Sequence, residues 1–205
     1  MDNQLKQKTI NTYNKSSREL AQYFDGIGSR AKDVAEAFAY FPIDQYSILS
    51  TLEIGCGNGR DAKHVLEHTK KYVGMDISTG MIRLAKSKLP EVVFQIGDIT
   101  DYKFPKELDI IFAFASLLHL DKGEIKLVLR QANEALNPGG IFYISLKEAP
   151  YHLEVKEDKF GTRYFYFYQP VDIQECTAEN FEVLKTSHQK IGNTNWFTII
   201  LRVKK

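Results

Sequence analysis

The chain has 205 residues, 27 Lys+Arg against 26 Asp+Glu, and 12% aromatic residues. This length suffices for one domain with a full core, and the aromatics and cancelling charges exclude a disordered tail. A net charge of +1 argues against a nucleic-acid module held by a positive field, and no apolar run approaches the roughly 20 residues needed to span a bilayer.

Two distant cysteines, Cys56 and Cys176, form no disulfide framework, and the N-terminal MDNQLKQKTI has no apolar core for a signal peptide. The expectation is a reduced, cytoplasmic protein with neither a membrane nor a nucleic-acid partner.

The first 40 or so residues read as helical, with Ala31, Val34, Ala35 and Phe38 on one face, and are expected to cover the open edge of a following sheet. The first strand is Ile48 to Ile54, ending in the cluster Gly55, Gly57, Gly59. A helix is expected from Arg60 to about Thr69, a strand over 72–77, and a helix capped by Ser78 or Thr79 and ended by Pro90. Val92 to Ile96 and Leu108 to Ala115 are apolar runs expected to be covered on both faces. Gly123 to Leu136 is amphipathic, Asn137-Pro138-Gly139-Gly140 stops it, and Ile141 to Leu146 is the next strand.

This alternation implies a parallel sheet with right-handed crossovers and helices on both faces. The ending differs: Phe181 to Ser187 and Trp196 to Val203 have only a turn around Ile191-Gly192-Asn193 between them, so they form an antiparallel hairpin. A helix over 171–180 precedes it. The fold expected is α/β, a Rossmann-like, seven-stranded, mostly parallel sheet closed by that hairpin.

Ligands of such sheets bind outside the carboxyl ends of the strands, at the switch point. Here that point carries Glu53-Ile54-Gly55-Cys56-Gly57-Asn58-Gly59. A dinucleotide fingerprint needs Gly-x-Gly-x-x-Gly, and Arg60 stands where its third glycine belongs. Glu53 sets a carboxylate beside the loop, a sign that suits a cationic ligand and opposes a pyrophosphate. Asp76 ends the second strand, where it can accept both hydroxyls of a ribose. Asp98 follows the third strand, within reach of an adenine amino group.

At these residues the sequence resembles the class I S-adenosylmethionine-dependent methyltransferases. LEIGCGNGRDA (52–62) resembles their first motif, VGMDIS (73–78) the second and GDIT (97–100) the acid motif; DIIFAFASLLHL (109–120) and LNPGG (136–140) resemble the fourth strand and the turn before the fifth. Among them it is most like the small, stand-alone bacterial methyltransferase-domain enzymes. The resemblance implies S-adenosylmethionine as cofactor and a role for each matching residue. Gly55 and Gly57 pass under the methionine moiety, with Glu53 near its ammonium group. Asp76 binds the ribose, Ile77 lies beside the adenine and Met81 packs on its face. Asp98 and the Ile99 backbone read the adenine edge, and Phe114 and Ala115 line the path of the methyl group.

Methyl transfer from a sulfonium needs alignment first, and a base only when the acceptor carries a proton of high pKa. His119 is the candidate catalytic base, or else a packing histidine. Tyr13 and Tyr23 read either as a lid over the cofactor or as core. His64 and His68 share a helix face but have no evident third ligand, so no metal site is expected. Cys56 reads as a small buried residue and Arg60 as a partner for a neighbouring acid. Phe114-Ala115-Ser116-Leu117 stands where methyltransferases of base amines carry an Asn/Asp-Pro-Pro-Tyr/Phe turn, which disfavours that substrate group.

In Gly161 to Tyr168 a period of two puts Tyr164, Tyr166 and Tyr168 on one face and Phe165 and Phe167 on the other. The segment reads as a wall of the acceptor pocket, a subunit contact, or an edge strand; the preceding HLEVKEDKF reads as a solvated loop. The expected organisation is one domain over 1–205. It comprises a helical cap (1–44), a cofactor-binding core (45–147), a substrate-side insertion (148–170), and a helix with the terminal hairpin (171–205). The expected function is methyl transfer to a small-molecule acceptor by a monomer or homodimer. The alternatives are a non-catalytic S-adenosylmethionine-binding module and an NAD-dependent oxidoreductase.

Overall fold

The computed structural model describes residues 3–177 and 179–205. Three helices lead: α1 (Asn3–Lys15), α2 (Ser17–Asp25) and α3 (Ala31–Phe38). The sheet chain follows as β1 (Ser50–Ile54), α4 (Ala62–Leu66), β2 (Lys71–Asp76), α5 (Thr79–Lys88), β3 (Val93–Ile96), β4 (Leu108–Phe114), α6 (Lys122–Ala135) and β5 (Leu136–Lys147). A ribbon of β6 (His152–Asp158) and β7 (Gly161–Phe167) precedes α7 (Pro170–Thr177), β8 (Phe181–Ile191) and β9 (Thr194–Val203).

The main sheet has the order β3-β2-β1-β4-β5-β9-β8, with β9 antiparallel to β5 and to β8 and the other pairs parallel. This is the expected Rossmann-like sheet with its terminal hairpin. The period of two divides the core. Ile111, Ala113, Phe142 and Ile144 pack with Ile125, Val128 and Leu129 of α6 on one face. Ile110, Phe112, Ile141 and Tyr143 pack with Val34 and Phe38 of α3, Val65 of α4 and Ile82 of α5 on the other. Asp121 and Glu124 cap α6 reciprocally, each side chain accepting from the other's backbone N–H.

Several expectations are corrected. Residues 43–48 form a 3₁₀ turn, so β1 starts at Ser50. The helix expected over 60–69 is only the short α4, and α3 buries Ala37 while Ala35 is exposed. The helix expected over 171–180 is α7, residue 178 lying outside the described residues. β3 is an edge strand with Val93 52% and Ile96 55% exposed, not a strand covered on both faces. Asn137-Pro138-Gly139-Gly140 does end α6, but within β5, where it forms an irregularity as the pairing with β4 passes from Leu108 to Ile110. HLEVKEDKF is mostly strand β6, whose exposed side chains left only its backbone pairing with β7 to define it.

The N-terminal helices also lie elsewhere than expected. α1 packs on β7 and α5, across the carboxyl ends of the strands, rather than on the open edge. Hydroxyls of α1 and of Ser16, which directly follows it, bind the ribbon backbone. Thr12 Oγ1 donates to the Thr162 carbonyl (2.8 Å), Ser16 Oγ to the Phe160 carbonyl (2.7 Å), and Thr9 Oγ1 accepts from the Tyr164 N–H (3.2 Å). At its other contact, Asn14 Oδ1 accepts from Ser78 Oγ (2.9 Å), Thr79 Oγ1 (3.1 Å) and the Gly80 N–H (3.1 Å), all at the start of α5.

Three bonds converging on one acceptor predict a local weakness. Asn14→Ala lowers stability by about 2 kcal/mol. Amide exchange by mass spectrometry is expected to quicken in α1 and leave β4 and β5 as protected as before.

Candidate functional site

Right-handed crossovers take the chain to opposite faces of the sheet after β1 and after β4, which opens a crevice between their carboxyl ends. A cavity of about 370 Å³ lies there. Gly55, Gly57, Asp76, Ile77, Met81, Asp98, Ile99, Phe114, His119 and Tyr13 all line it, as do Ala115 and Tyr23. A separate hollow between Asp25, Lys63, His64 and Lys88 shares only Arg60 with this lining.

The glycine loop is tied to both neighbouring strands. The Gly55 and Cys56 N–H groups donate to the Met75 carbonyl (2.7 and 3.0 Å), and Ser116 Oγ donates to the Ile54 carbonyl (2.6 Å). Gly55 has φ +71°, and a Cβ there would lie 2.2 Å from Ser116 Cβ. Gly57 has φ +54° but open space above it, so its backbone borders the cavity directly. Ala115 also has positive φ, 54°, a strained conformation for a residue with a side chain, right at the rim.

Asp76 Oδ2 accepts from the Gly57 N–H (2.9 Å) and Oδ1 from the Ser78 N–H (2.8 Å). Burial pushes this carboxyl up, against the backbone bonds of Ser78, Gly57 and Ile77 that favour its charge. Asp98, at the end of β3, already has partners. Its Oδ2 meets Lys6 Nζ of α1 at 2.5 Å and its Oδ1 accepts from Thr100. Burial opposes its charge, but Lys6 and Thr100 outweigh burial and hold it below the usual range.

Glu53 does not line the cavity. Its neighbours across β1 are Gly74 and Phe112, and its side chain turns to the face that carries Tyr72. Tyr72 Oη donates to Glu53 Oε2 at 2.5 Å. Burial first, and then the Asp61 charge, raise the Glu53 carboxyl to about 8. At neutral pH it therefore holds its proton, rather than presenting the charge that its position in the sequence suggests.

His119 is held from two sides. Its Nδ1 lies 2.6 Å from the Tyr164 carbonyl, which can only accept, so Nδ1 carries the proton. Nε2 then accepts from the Tyr13 hydroxyl at 3.1 Å. Burial, opposed by the Tyr164 bond and aided by Arg163 and Lys147, lowers the imidazole to about 4, so it is neutral at pH 7. Burial likewise raises the Tyr13 phenol and keeps it protonated. The aromatic segment contributes directly: Tyr164 and Phe165 line the cavity, while Tyr168 Oη bonds the Leu120 carbonyl.

The remaining candidates have structural partners. His64 Nε2 bonds Ser29 Oγ at 2.8 Å, and His68 stacks on Phe38 at 4.5 Å. Arg60 pairs with Asp61 and donates to the Phe24 carbonyl at 2.6 Å. Cys56 is buried, and burial pushes its thiol well up, away from nucleophile character. Among the lining residues that the sequence reading did not single out are the cations Lys6, Arg30, Lys147, Lys156 and Arg163; the ribbon and the end of β5 bring the last three to the cavity.

Residues 51–140 match the model of a family described as "Methyltransferase domain". Trans-aconitate 2-methyltransferase of Escherichia coli O139:H28 (strain E24377A / ETEC) is 28% identical over 146 residues, 69% of this chain and 57% of that relative. The chain thus spans little more than half the length of the curated relatives it matches. An S-adenosylmethionine-dependent methyltransferase from Clostridium acetobutylicum ATCC 824 superposes with a TM-score of 0.69 at 15% identity, covering 85% of this chain and 91% of that one. The N-methyltransferase NodS from Bradyrhizobium japonicum WM9, in complex with S-adenosyl-L-homocysteine, gives 0.66 at 14% identity and 86% of each chain. At these identities the two structures speak for the fold alone.

Two predictions follow from the loop and its buried acid. Gly55→Ala is expected to cost about 3 kcal/mol, from strain and overlap with Ser116 together, whereas Gly57→Ala costs about 1 kcal/mol; urea unfolding measures both. Glu53 is protonated more readily folded than unfolded, so the folded state binds more protons between the ordinary value near 4.5 and about 8. Stability is therefore lost as pH rises through that window. Glu53→Gln is expected to flatten this slope, as denaturation at pH 5, 6.5 and 8 will test.

Proposed function

We propose that this chain, a member of the class I S-adenosylmethionine-dependent methyltransferase family by its residues 51–140 and its sheet order, transfers a methyl group from S-adenosylmethionine to a small-molecule acceptor. The observation that carries the reading is Asp76. Its carboxyl ends β2 at the crevice, tied to the N–H of Gly57, whose upper side is open.

The lining fits the group. In this reading Asp76 accepts from the ribose hydroxyls, as the half-buried carboxylate at a strand end allows. Ile77, Met81 and Ile99 offer the adenine an apolar slot, which Asp98 borders with its charge balanced by Lys6. Gly55 and Gly57 let the backbone pass close under the methionine moiety. Neutral Glu53 lies behind the loop and acts through Tyr72 and the β1–β2 packing. The bound cofactor supplies an activated methyl on a sulfonium, so the protein's work is alignment.

Phe114 and Ala115 wall the acceptor side at the end of β4. Tyr13 and His119 cover it, and α1 and the ribbon pack together over the crevice. His119 has its Nε2 lone pair already engaged by Tyr13 and a low proton affinity, so we assign it to orienting Tyr13 and the acceptor before any proton transfer. The cavity is of small-molecule size, and the absent Pro-Pro turn argues in the same direction.

Titration calorimetry with S-adenosylhomocysteine tests the reading. Binding is expected in the wild type, and Asp76→Ala is expected to weaken it by about 10- to 100-fold. No binding at millimolar concentration overturns the cofactor assignment; unchanged affinity in Asp76→Ala overturns the ribose contact. Binding without turnover across a broad acceptor panel would leave a binding module and remove the enzyme.

A further inference from the structure

The cavity is divided by charge. Asp76 and Asp98, the latter paired with Lys6, stand at the ends of β2 and β3, and Arg60 pairs with Asp61, whereas Lys147 at the end of β5, Lys156 on β6 and Arg163 on β7 bring cations from the ribbon side. Resting on the methyltransferase reading, we propose that the Lys147 ammonium and the Arg163 guanidinium form a carboxylate-binding subsite, so that the methyl acceptor is a small molecule bearing a carboxylate group.

Arg163 is nearly inaccessible, its side chain 5% exposed. Its Nη2 meets Asp158 Oδ2 at 2.5 Å, but its Nε, buried, has no partner among the described residues. A guanidinium N–H taken out of water and left unpaired is costly, and Arg163, whose guanidinium also bonds the Tyr13 side chain, lines the cavity.

Lys147 has the same lack in another form. Its Nζ sits 3.6 Å from the centroid of Phe165 and 5.2 Å from that of Phe167. Among the described residues no carboxylate lies within ion-pair distance of it. Burial first, then Lys156 and Arg163, lower its ammonium to about 8, with the Glu154 charge acting the other way. A charge held in so unfavourable a place gains most from an incoming anion.

Shape selects the anion: a carboxylate is planar, whereas phosphate is tetrahedral. A planar acceptor suits the free edge of a guanidinium beside an ammonium.

The test uses protein saturated with S-adenosylhomocysteine, titrated at pH 7 with benzoate, phenylacetate and succinate, with their primary amides, and with inorganic phosphate. At least one carboxylate is expected to bind tenfold or more tighter than its amide and tighter than phosphate. Lys147→Met, which keeps the apolar stem over Phe165, is expected to lose at least tenfold in carboxylate affinity, to abolish the preference over the amide, and to bind S-adenosylhomocysteine as the wild type does. Lys147→Arg is expected to recover part of the loss. A purely structural lysine would shift the melting temperature without moving this charge selectivity.

Equal binding of acid and amide, unchanged carboxylate affinity in Lys147→Met, a preference for phosphate, or no binding by any carboxylate overturns the subsite. If S-adenosylhomocysteine itself fails to bind, the methyltransferase reading fails separately. The same titrations on ligand-free protein then judge the subsite by the same criteria.

Discussion

Gly55 and Ser116 pass each other with no room for a methyl group between them. This close crossing joins the ends of β1 and β4 at the place where their connections part to opposite faces of the sheet. Ser116 Oγ donating to the Ile54 carbonyl and two loop N–H groups donating to the Met75 carbonyl bind three strands at one point. A side chain at Gly55 would force β1 and β4 apart. The crevice, the placement of Asp76 under Gly57 and the strained Ala115 opposite them all presuppose this contact.

Around that point the molecule is built in two styles. The sheet and its helices are joined by apolar packing, with the period of two sending Ile111 to one face and Ile110 to the other. The cover is joined by side-chain oxygens. Thr9, Thr12, Ser16 and Asn14 bind the ribbon and the start of α5 through hydrogen bonds rather than through a large hydrophobic area. Tyr13, His119 and the Tyr164 carbonyl continue this style in a line that connects α1, the segment after β4 and β7. Such bonds contribute little net energy each, but they fix position closely.

The two styles explain what the sequence discloses. Apolar periodicity and glycine clusters leave a linear trace, so the strand order, the terminal hairpin and the acids at the ends of β2 and β3 are legible without coordinates. Burial on one side leaves a fainter trace: β3 reads as covered because Val93 and Ile96 are apolar, although both face water. β6 has no legible pattern, because charged and apolar side chains alike are exposed and only backbone pairing defines it. Glu53 is recognisable as an acid beside the loop, yet its protonation depends on Tyr72 and on desolvation, which no local pattern encodes. Lys6 and Asp98, or Lys147 and Arg163, meet only because α1 and the ribbon fold over, and residues from separate elements carry no mutual spacing to detect.

The ribbon begins and ends at one place. Tyr168 N–H donates to the Lys147 carbonyl and Ala149 N–H to the Tyr168 carbonyl, so the chain departs from β5 and returns to its own point of departure. Everything between is a closed excursion that the sheet neither threads nor needs for its strand order. Lengthening such an excursion costs entropy only logarithmically. A change in its length or sequence would therefore alter the cavity wall that carries Lys156 and Arg163 while leaving the strand order untouched.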